Sequence, residues 1–357
     1  MVNHELVRGL PRASVPSGGL LSTTILSPLS SLPLPTFSQL LADVETERAT
    51  SYNRAARSSR TRDEYARDWA DFEAYCQSRG LSALPGDPRT VARYVASLGA
   101  RLKISTIRRR VVSISQVHQE RGLEPPTRHK IVREVITGIA NTHGGAPQKK
   151  SALTLDLLHA AILVIDDATL KGTRDRALLL LGFAGALRRS ELAALDVADL
   201  AFDRRGLTVT LRRSKTDQGG SGREIAISSV DVAALCPVRA LRRWLDAAQI
   251  AEGPVFRTFA LPRGRRNTAS DTLKSQRIDG RDVARILQRV TMRAHVDGDF
   301  AAHSLRAGFI TSAAQKKIPE VDIQRITGHR SVAVLRGYVR CATIFEDAPL
   351  STIMSDN

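Results

Sequence analysis

Six side chains in the second half of this sequence have the chemistry that phosphoryl transfer needs: Arg188, Lys215, His303, Arg306, His329 and Tyr338. A phosphodiester is anionic, and its transition state spreads charge over the non-bridging oxygens. Two guanidiniums can grip those oxygens with bidentate geometry, which ammonium groups cannot. Imidazoles add donors and proton transfer. A phenol can attack phosphorus and hold the chain as an ester. Tyr338 is the only tyrosine after Tyr94, so this half of the protein offers one phenol. The displaced oxygen needs a proton, which a lysine can supply. Lys215 stands in Arg213-Ser214-Lys215-Thr216-Asp217, at the edge of a turn-rich stretch.

Taken singly, each of these features has a blander reading. Arg188 and Glu191 at helical spacing form an ordinary ion pair in many helices. His303 and Arg306 three apart are a common surface pattern, Gly328-His329 is a usual helix end, and Tyr338 beside Val339 suits a half-buried aromatic. A turn lysine is usually solvated. The weight lies in the ordered conjunction of all of them in one basic chain. There are 53 Lys and Arg against 36 Asp and Glu among 357 residues, a formal charge of +17. Such an excess repels itself unless a polyanion neutralises it, and nucleic acid is the leading candidate.

The cysteines and the apolar stretches exclude other classes. Cys76, Cys236 and Cys341 are far apart and no pair has metal-ligand spacing, so neither a zinc finger nor another metal centre is expected. Pro28, Pro33 and Pro35 interrupt the apolar stretches near the N-terminus. No run approaches the roughly 20 apolar residues of a membrane span, and no signal peptide is expected. The expected location is the cytoplasm, associated with the nucleoid.

The elements that must position these residues are mostly helical. Residues 1–58 read as a disordered arm, with a short helix near Phe37–Thr46. Thr61 and Glu64 form a capping box, and Tyr65, Trp69, Phe72 and Cys76 follow at helical spacing to a stop at Gly80. Asp87-Pro88 starts a second helix that closes at Gly99. Ser105 caps a third, ending by Gly122, and a fourth runs from Thr127 to Asn141. Arg108, Arg109, Arg110, Arg128, Lys130 and Arg133 make the polar faces of this module (59–142) basic, and some are expected to meet phosphates. A linker spans 143–152. Helices resume at Thr154, then Leu207, Val209 and Leu211 alternate, as do Ile225 and Ile227, giving a β-hairpin with a flexible tip. Further helices are expected over 237–249, 279–294, 303–315, 319–326 and 331–340. The fold class is therefore mainly α (α+β), a four-helix module plus a mostly helical domain (153–345) with a small antiparallel sheet, ending in a tail (346–357).

The order Arg188, Lys215, His303-x-x-Arg306, Gly328-His329 and Tyr338 resembles the signature of the tyrosine recombinase (phage integrase) family. The flanking Leu305-Arg306-Ala307-Gly308-Phe309 and Ile326-Thr327-Gly328-His329 fit it too, and the likeness runs from about Thr61 to Tyr338. Arg188 or Arg189 could be the first arginine; the family spacing to Glu191-Leu192 favours Arg188. The resemblance implies a helical core-binding domain and a catalytic domain clamped around double-stranded DNA at inverted-repeat recombination sites, with four protomers in the synaptic complex. It implies attack by Tyr338 to give a 3′-phosphotyrosyl link, charge stabilisation by Arg188, Arg306 and His329, help from His303 as base or donor, and Lys215 as general acid. No metal, nucleotide or other cofactor is implied. The rivals are a type IB topoisomerase, which would relax DNA without a partner site, and a non-catalytic DNA-binding protein of the same fold.

Overall fold

The first long helix begins at Ser59 because Ser58 caps it, its hydroxyl accepting from the Thr61 N–H at 3.2 Å. Thr61 lies inside the first turn and is not the cap expected from its spacing to Glu64. The computed structural model describes residues 44–52, 56–145, 150–212, 222–260, 272–329 and 336–337. Lys215, Tyr338, most of the expected arm, the tail and the Ser331–Arg340 helix, apart from helical Arg336 and Gly337, lie outside these residues. Residues 44–52 are helical and overlap the end of the short helix expected near Phe37–Thr46, whose earlier part lies outside the described residues.

Four helices, α1 (Ser59–Gln77), α2 (Pro88–Leu98), α3 (Ile104–Glu120) and α4 (Lys130–His143), enclose one hydrophobic core. Phe72, Val95, Ile107, Ile114 and Val132 are fully shut from solvent there. Two starts differ from the sequence reading. Lys103 precedes α3 without a side-chain cap, so Ser105 sits within the first turn. A 3-10 turn over Pro126–Arg128 comes before α4, whose cap is His129 rather than Thr127. The basic face of α3 is partly turned inward: Arg109 pairs with Asp68 at 3.1 Å, and Arg110 pairs with Asp71 and donates to the Tyr94 hydroxyl at 2.8 Å. Arg108 is exposed.

A second core is built by α5 (Leu155–Leu163), α6 (Leu170–Ala184), α7 (Arg189–Ala194), α8 (Pro237–Ala247), α9 (Gly280–Arg293) and α10 (Ser304–Gln315), with α11 (Glu320–Thr327) against α10. The central helix is α6, which packs on both α8 and α10. Its Leu178–Leu181 stretch is buried all round, which explains an apolar run without a polar face. The expected hairpin is β2 (Gly206–Leu211) with β3 (Arg223–Ser228), paired so that Val209 faces Ile225 and Leu211 faces Arg223. The alternating Leu207, Val209, Leu211, Ile225 and Ile227 all point into the core. A short β1 (Leu200–Phe202) extends this antiparallel sheet, and β4 (Arg257–Phe259) with β5 (Leu273–Arg277) forms another. Strands of three to five residues are too short to show a period, so the sequence reading did not contain them.

One packing contact fixes where α10 sits. The extended backbone at Ser151–Leu153 runs along its first turns: the Ser151 N–H donates to Asp299 O and the Leu153 N–H to Ser304 O, each at 3.0 Å. Gly308 is where the two backbones touch, because a Cβ there would overlap the Leu153 carbonyl. Gly308→Ala is therefore expected to lower unfolding stability by about 1–3 kcal/mol, the usual cost of overpacking. Denaturant midpoints measure this, and an unchanged midpoint would mean that the two backbones do not meet at Gly308.

Candidate active site

The site grows from Arg306, in the first turn of α10, whose residue is only 1% exposed. Burying a guanidinium is costly unless its donors are satisfied. Nη1 donates to the Ala186 carbonyl at 2.7 Å and Nη2 to the Thr327 carbonyl at 2.6 Å. The Thr327 carbonyl is the last of α11, where the macrodipole is negative and the carbonyls lack intrahelical donors, and the Ala186 carbonyl belongs to the turn just past the end of α6. These dipoles hold the plane of the guanidinium without themselves cancelling its charge.

The first turn ends α6. Gly185 is the C-cap, the Ala186 N–H bonds to Phe183 O at 2.9 Å and the Leu187 N–H to Gly182 O at 3.0 Å, the paired bonds of a Schellman turn. The left-handed position of that motif usually holds glycine, yet here Ala186 takes it, with φ +46°. A side chain in that conformation costs about 1–2 kcal/mol. The turn then delivers Arg188 as the residue before α7. Arg188 is held by Glu191: Nη1 donates to Oε1 at 2.6 Å and the backbone N–H to Oε2 at 2.9 Å. Arg189 is exposed and lies along Gly280, so the arginine that faces the site is Arg188.

The second turn ends α11. Gly328 closes it at φ +63°, a left-handed value that glycine adopts without strain, as its place in Gly328-His329 suggests. His329 follows, fixed by a Gln324 side-chain bond to its carbonyl at 2.8 Å. The Thr327 hydroxyl donates to Gln324 O at 3.5 Å, which leaves its oxygen to accept from His329 Nδ1 at 2.9 Å. Arg306 Nη2 lies 3.2 Å from Nε2 and 3.4 Å from Nδ1 of the same ring. A guanidinium this close favours the neutral imidazole. Burial first, then Arg306, Arg188, His303 and Arg223, lower the His329 pKa from 6.5 to about 4. His303 stands at the open rim of the same cluster, just before α10, where Ser304 folds back on Ala301. Its pKa is lowered as well, by burial first and then by Arg306 and Arg188.

Four of the six residues singled out by chemistry, Arg188, His303, Arg306 and His329, thus come together from three separate chain segments. Lys215 and Tyr338 are outside the described residues. Their neighbours are placed: Arg223 opens β3 at the far leg of the Lys215 hairpin, and Arg336 bonds to Glu320 at the start of α11 at 3.2 Å. Glu191, Ala186 and Thr327 were not read as site residues. Glu191 had a signal in its spacing from Arg188, whereas the carbonyls of Ala186 and Thr327 had none. Among the described residues, no three His, Cys, Asp or Glu side chains gather as metal ligands, and no helix is long and apolar enough to cross a membrane. A cleft of about 590 Å³ separates α1 from the starts of α7 and α9; Arg60, Arg67, Arg189 and Arg281 line it together with Glu64 and Asp279, which pair with Arg60 at 3.1 Å and Arg281 at 3.0 Å. Two guanidiniums beside two imidazoles kept neutral make an anion-binding cage suited to a phosphate diester.

The chain is similar to known proteins. Residues 156–343 match the Phage integrase family. An integrase/recombinase xerD homolog from Selenomonas ruminantium is 38% identical over 291 residues, which covers 80% of this chain and 83% of that protein. Among solved structures, the XerH site-specific recombinase bound to palindromic difH substrate in a post-cleavage complex has the same fold. It is 17% identical with a TM-score of 0.58, over 82% of this chain and 79% of that one. A lambda integrase dimer bound to a COC′ core site is likewise 17% identical, with a TM-score of 0.50 over 85% and 77%.

The depressed His329 pKa has a consequence for stability. As pH falls below 6.5 the unfolded chain takes up a proton at this position, and the folded protein refuses it until about 4. The wild-type protein should therefore lose stability across that window, and His329→Gln, which has no proton to refuse, should lose it with a shallower slope. Denaturant titrations from pH 7 to 4 compare the two, and parallel slopes would contradict a neutral, enclosed His329.

Proposed function

The chain belongs to the phage integrase family and is a site-specific tyrosine recombinase acting on DNA; we propose that it cleaves and rejoins strands through Tyr338, inside a cage made by Arg188, His303, Arg306 and His329. The observation that carries this reading is the convergence of those four side chains on one point, with Arg306 clamped between two helix ends. The Tyr338 phenol oxygen attacks the scissile phosphorus as its proton leaves to a base, and His303 is suited to that role or to donating a hydrogen bond. The bond from phosphorus to the 5′ oxygen breaks, leaving a 3′-phosphotyrosyl ester and a 5′ oxygen that takes its proton from Lys215. Arg188 and Arg306 grip the non-bridging oxygens, and His329 adds a further contact. Rejoining reverses the step: a 5′ hydroxyl attacks the ester and releases the phenol. The ester conserves the bond energy, so neither a metal ion nor a nucleotide is called for.

The +17 charge, and a cleft in which four arginines outnumber Glu64 and Asp279, support a duplex held between the four-helix core-binding module (59–142) and the catalytic domain (153–345). The XerH recombinase is bound to a palindromic substrate, and the synaptic assembly is proposed as four protomers joining two inverted-repeat sites, with the tail after Tyr338 docked on a neighbour. Such work belongs in the cytoplasm, on the nucleoid.

The test uses duplexes that the wild-type protein selects by binding from a randomised pool, prepared with a nick that traps the covalent product. Wild type should give a denaturant-resistant adduct and Tyr338→Phe none, with DNA affinity nearly unchanged. Lys215→Ala should cleave about 10²–10⁴ times more slowly, the usual contribution of a general acid. A 5′-bridging phosphorothiolate, whose sulfur leaves without a proton, should restore it. An adduct formed by Tyr338→Phe would remove Tyr338 from its role, and failure of Lys215→Ala on the sulfur substrate would return Lys215 to simple phosphate contact.

A further inference from the structure

We propose that Arg223 is a positioning residue: from the base of the β2–β3 hairpin it fixes both the turn that carries His329 and the carboxylate that holds Arg188. The inference rests on the reading of Arg188 and His329 as phosphate ligands. Arg223 opens β3 opposite Leu211, so the hairpin that carries Lys215 leaves the sheet at this pair. Its neighbour Glu224 points to solvent, whereas the Arg223 side chain is only 20% exposed.

Its two ends meet the site from behind. Nη1 donates to the Ile326 carbonyl at 2.8 Å. That carbonyl is one of those α11 leaves without an intrahelical donor, and a cation is favoured at this negative helix end. Nη2 lies 3.9 Å from Glu191 Oε2, the oxygen that also accepts from the Arg188 N–H. Glu191, with a side chain 2% exposed, is therefore shared between two guanidiniums, so Arg188 is oriented by a carboxylate whose charge is not its own alone. The guanidinium also explains a second feature of Gly328. Besides its left-handed φ, this residue leaves room for the guanidinium, since a Cβ here would oblige the end of the Arg223 side chain to shift. The turn before His329 and the arginine behind it are built as one fit.

This arrangement is costly to the fold. Arg223 Nε and Nη2 are shut from solvent and have no hydrogen-bond partner among the described residues, and burial lowers the pKa of the group. Buried donors left unmade are rare. A strand end that needed only solubility would have left the guanidinium in water. Its position instead puts one charge within reach of the α11 end and of Glu191, the two supports of His329 and Arg188.

The experiment compares full-length wild type, Arg223→Gln and Arg223→Lys. In the free protein, amide hydrogen exchange over residues 323–329 should speed up about tenfold in Arg223→Gln, the loss of roughly one hydrogen bond, while protection elsewhere stays within a few-fold. On the selected nicked duplexes, single-turnover cleavage by Arg223→Gln should fall about 10–10²-fold, the effect of a misplaced reacting geometry, with DNA affinity changed by less than about threefold. Arg223→Lys, which keeps a charge and a single donor nitrogen, should recover part of both losses. The 5′-bridging phosphorothiolate should not restore Arg223→Gln, since the defect is in holding the phosphate. Unchanged exchange over 323–329, full rescue by the sulfur substrate, or a loss of protection spread through the whole catalytic core in both variants would each overturn the proposal. If wild type itself formed no adduct, the catalytic reading would fall, while the exchange arm would still decide whether Arg223 holds the turn.

Discussion

The arrangement depends on one buried charge. Arg306 sits almost wholly out of solvent, and it donates to the Ala186 carbonyl in the turn that follows α6 and to the Thr327 carbonyl at the end of α11, with His329 beside it. Two helices that are distant in sequence must therefore end at the same place, facing one guanidinium. A carboxylate in that position would have been a stronger local partner, but it would also have cancelled the charge that an anionic ligand needs. Carbonyl dipoles satisfy the donors and preserve the field. Much of the surrounding chain serves this geometry: the Schellman turn with Ala186 in a left-handed conformation, the left-handed stop at Gly328, and the close contact of Gly308 with Leu153 that seats α10.

The same charge organises its neighbours. With Arg306 and Arg188 close by, a protonated imidazole would add a further positive charge, so His303 and His329 are both held toward the neutral form. A neutral His329 can stand 3.2 Å from a guanidinium nitrogen and accept from it. Glu191 keeps Arg188 in the cluster against the repulsion of the other cations. The free protein thus arrives with its cationic groups already oriented, so little reorganisation is left for the moment when a phosphate enters.

Legibility in the sequence followed physical range. The amphipathic helices and the β2–β3 hairpin were readable because their periods repeat over many residues, and Gly328 because a left-handed stop favours one residue type. Helix starts were less so: Ser58 and His129 act as caps where Thr61 and Thr127 had the more familiar spacing. The chemical identities of Arg188, His303, Arg306 and His329 could be read, since phosphate chemistry restricts them to few residue types. What supports them could not. A backbone carbonyl has the same formula at every position, so nothing in the letters marks Ala186 or Thr327 as ligands of Arg306. Arg223 looked like one charge among 53 until the fold turned it inward.

The claim that Arg306 meets the anionic charge of a scissile phosphate can be measured directly by removing that charge from the DNA. Single-turnover cleavage by wild type and Arg306→Ala is compared on a selected duplex and on the same duplex with a neutral methylphosphonate at the scissile position. On the ordinary phosphate, Arg306→Ala should be slower by about 10²–10³-fold or more, the scale of a lost electrostatic stabiliser. On the methylphosphonate the gap between the two proteins should shrink to within about tenfold, because there is little charge left for the guanidinium to meet. An equal loss on both substrates would contradict this role and reduce Arg306 to a strut between α6, α10 and α11.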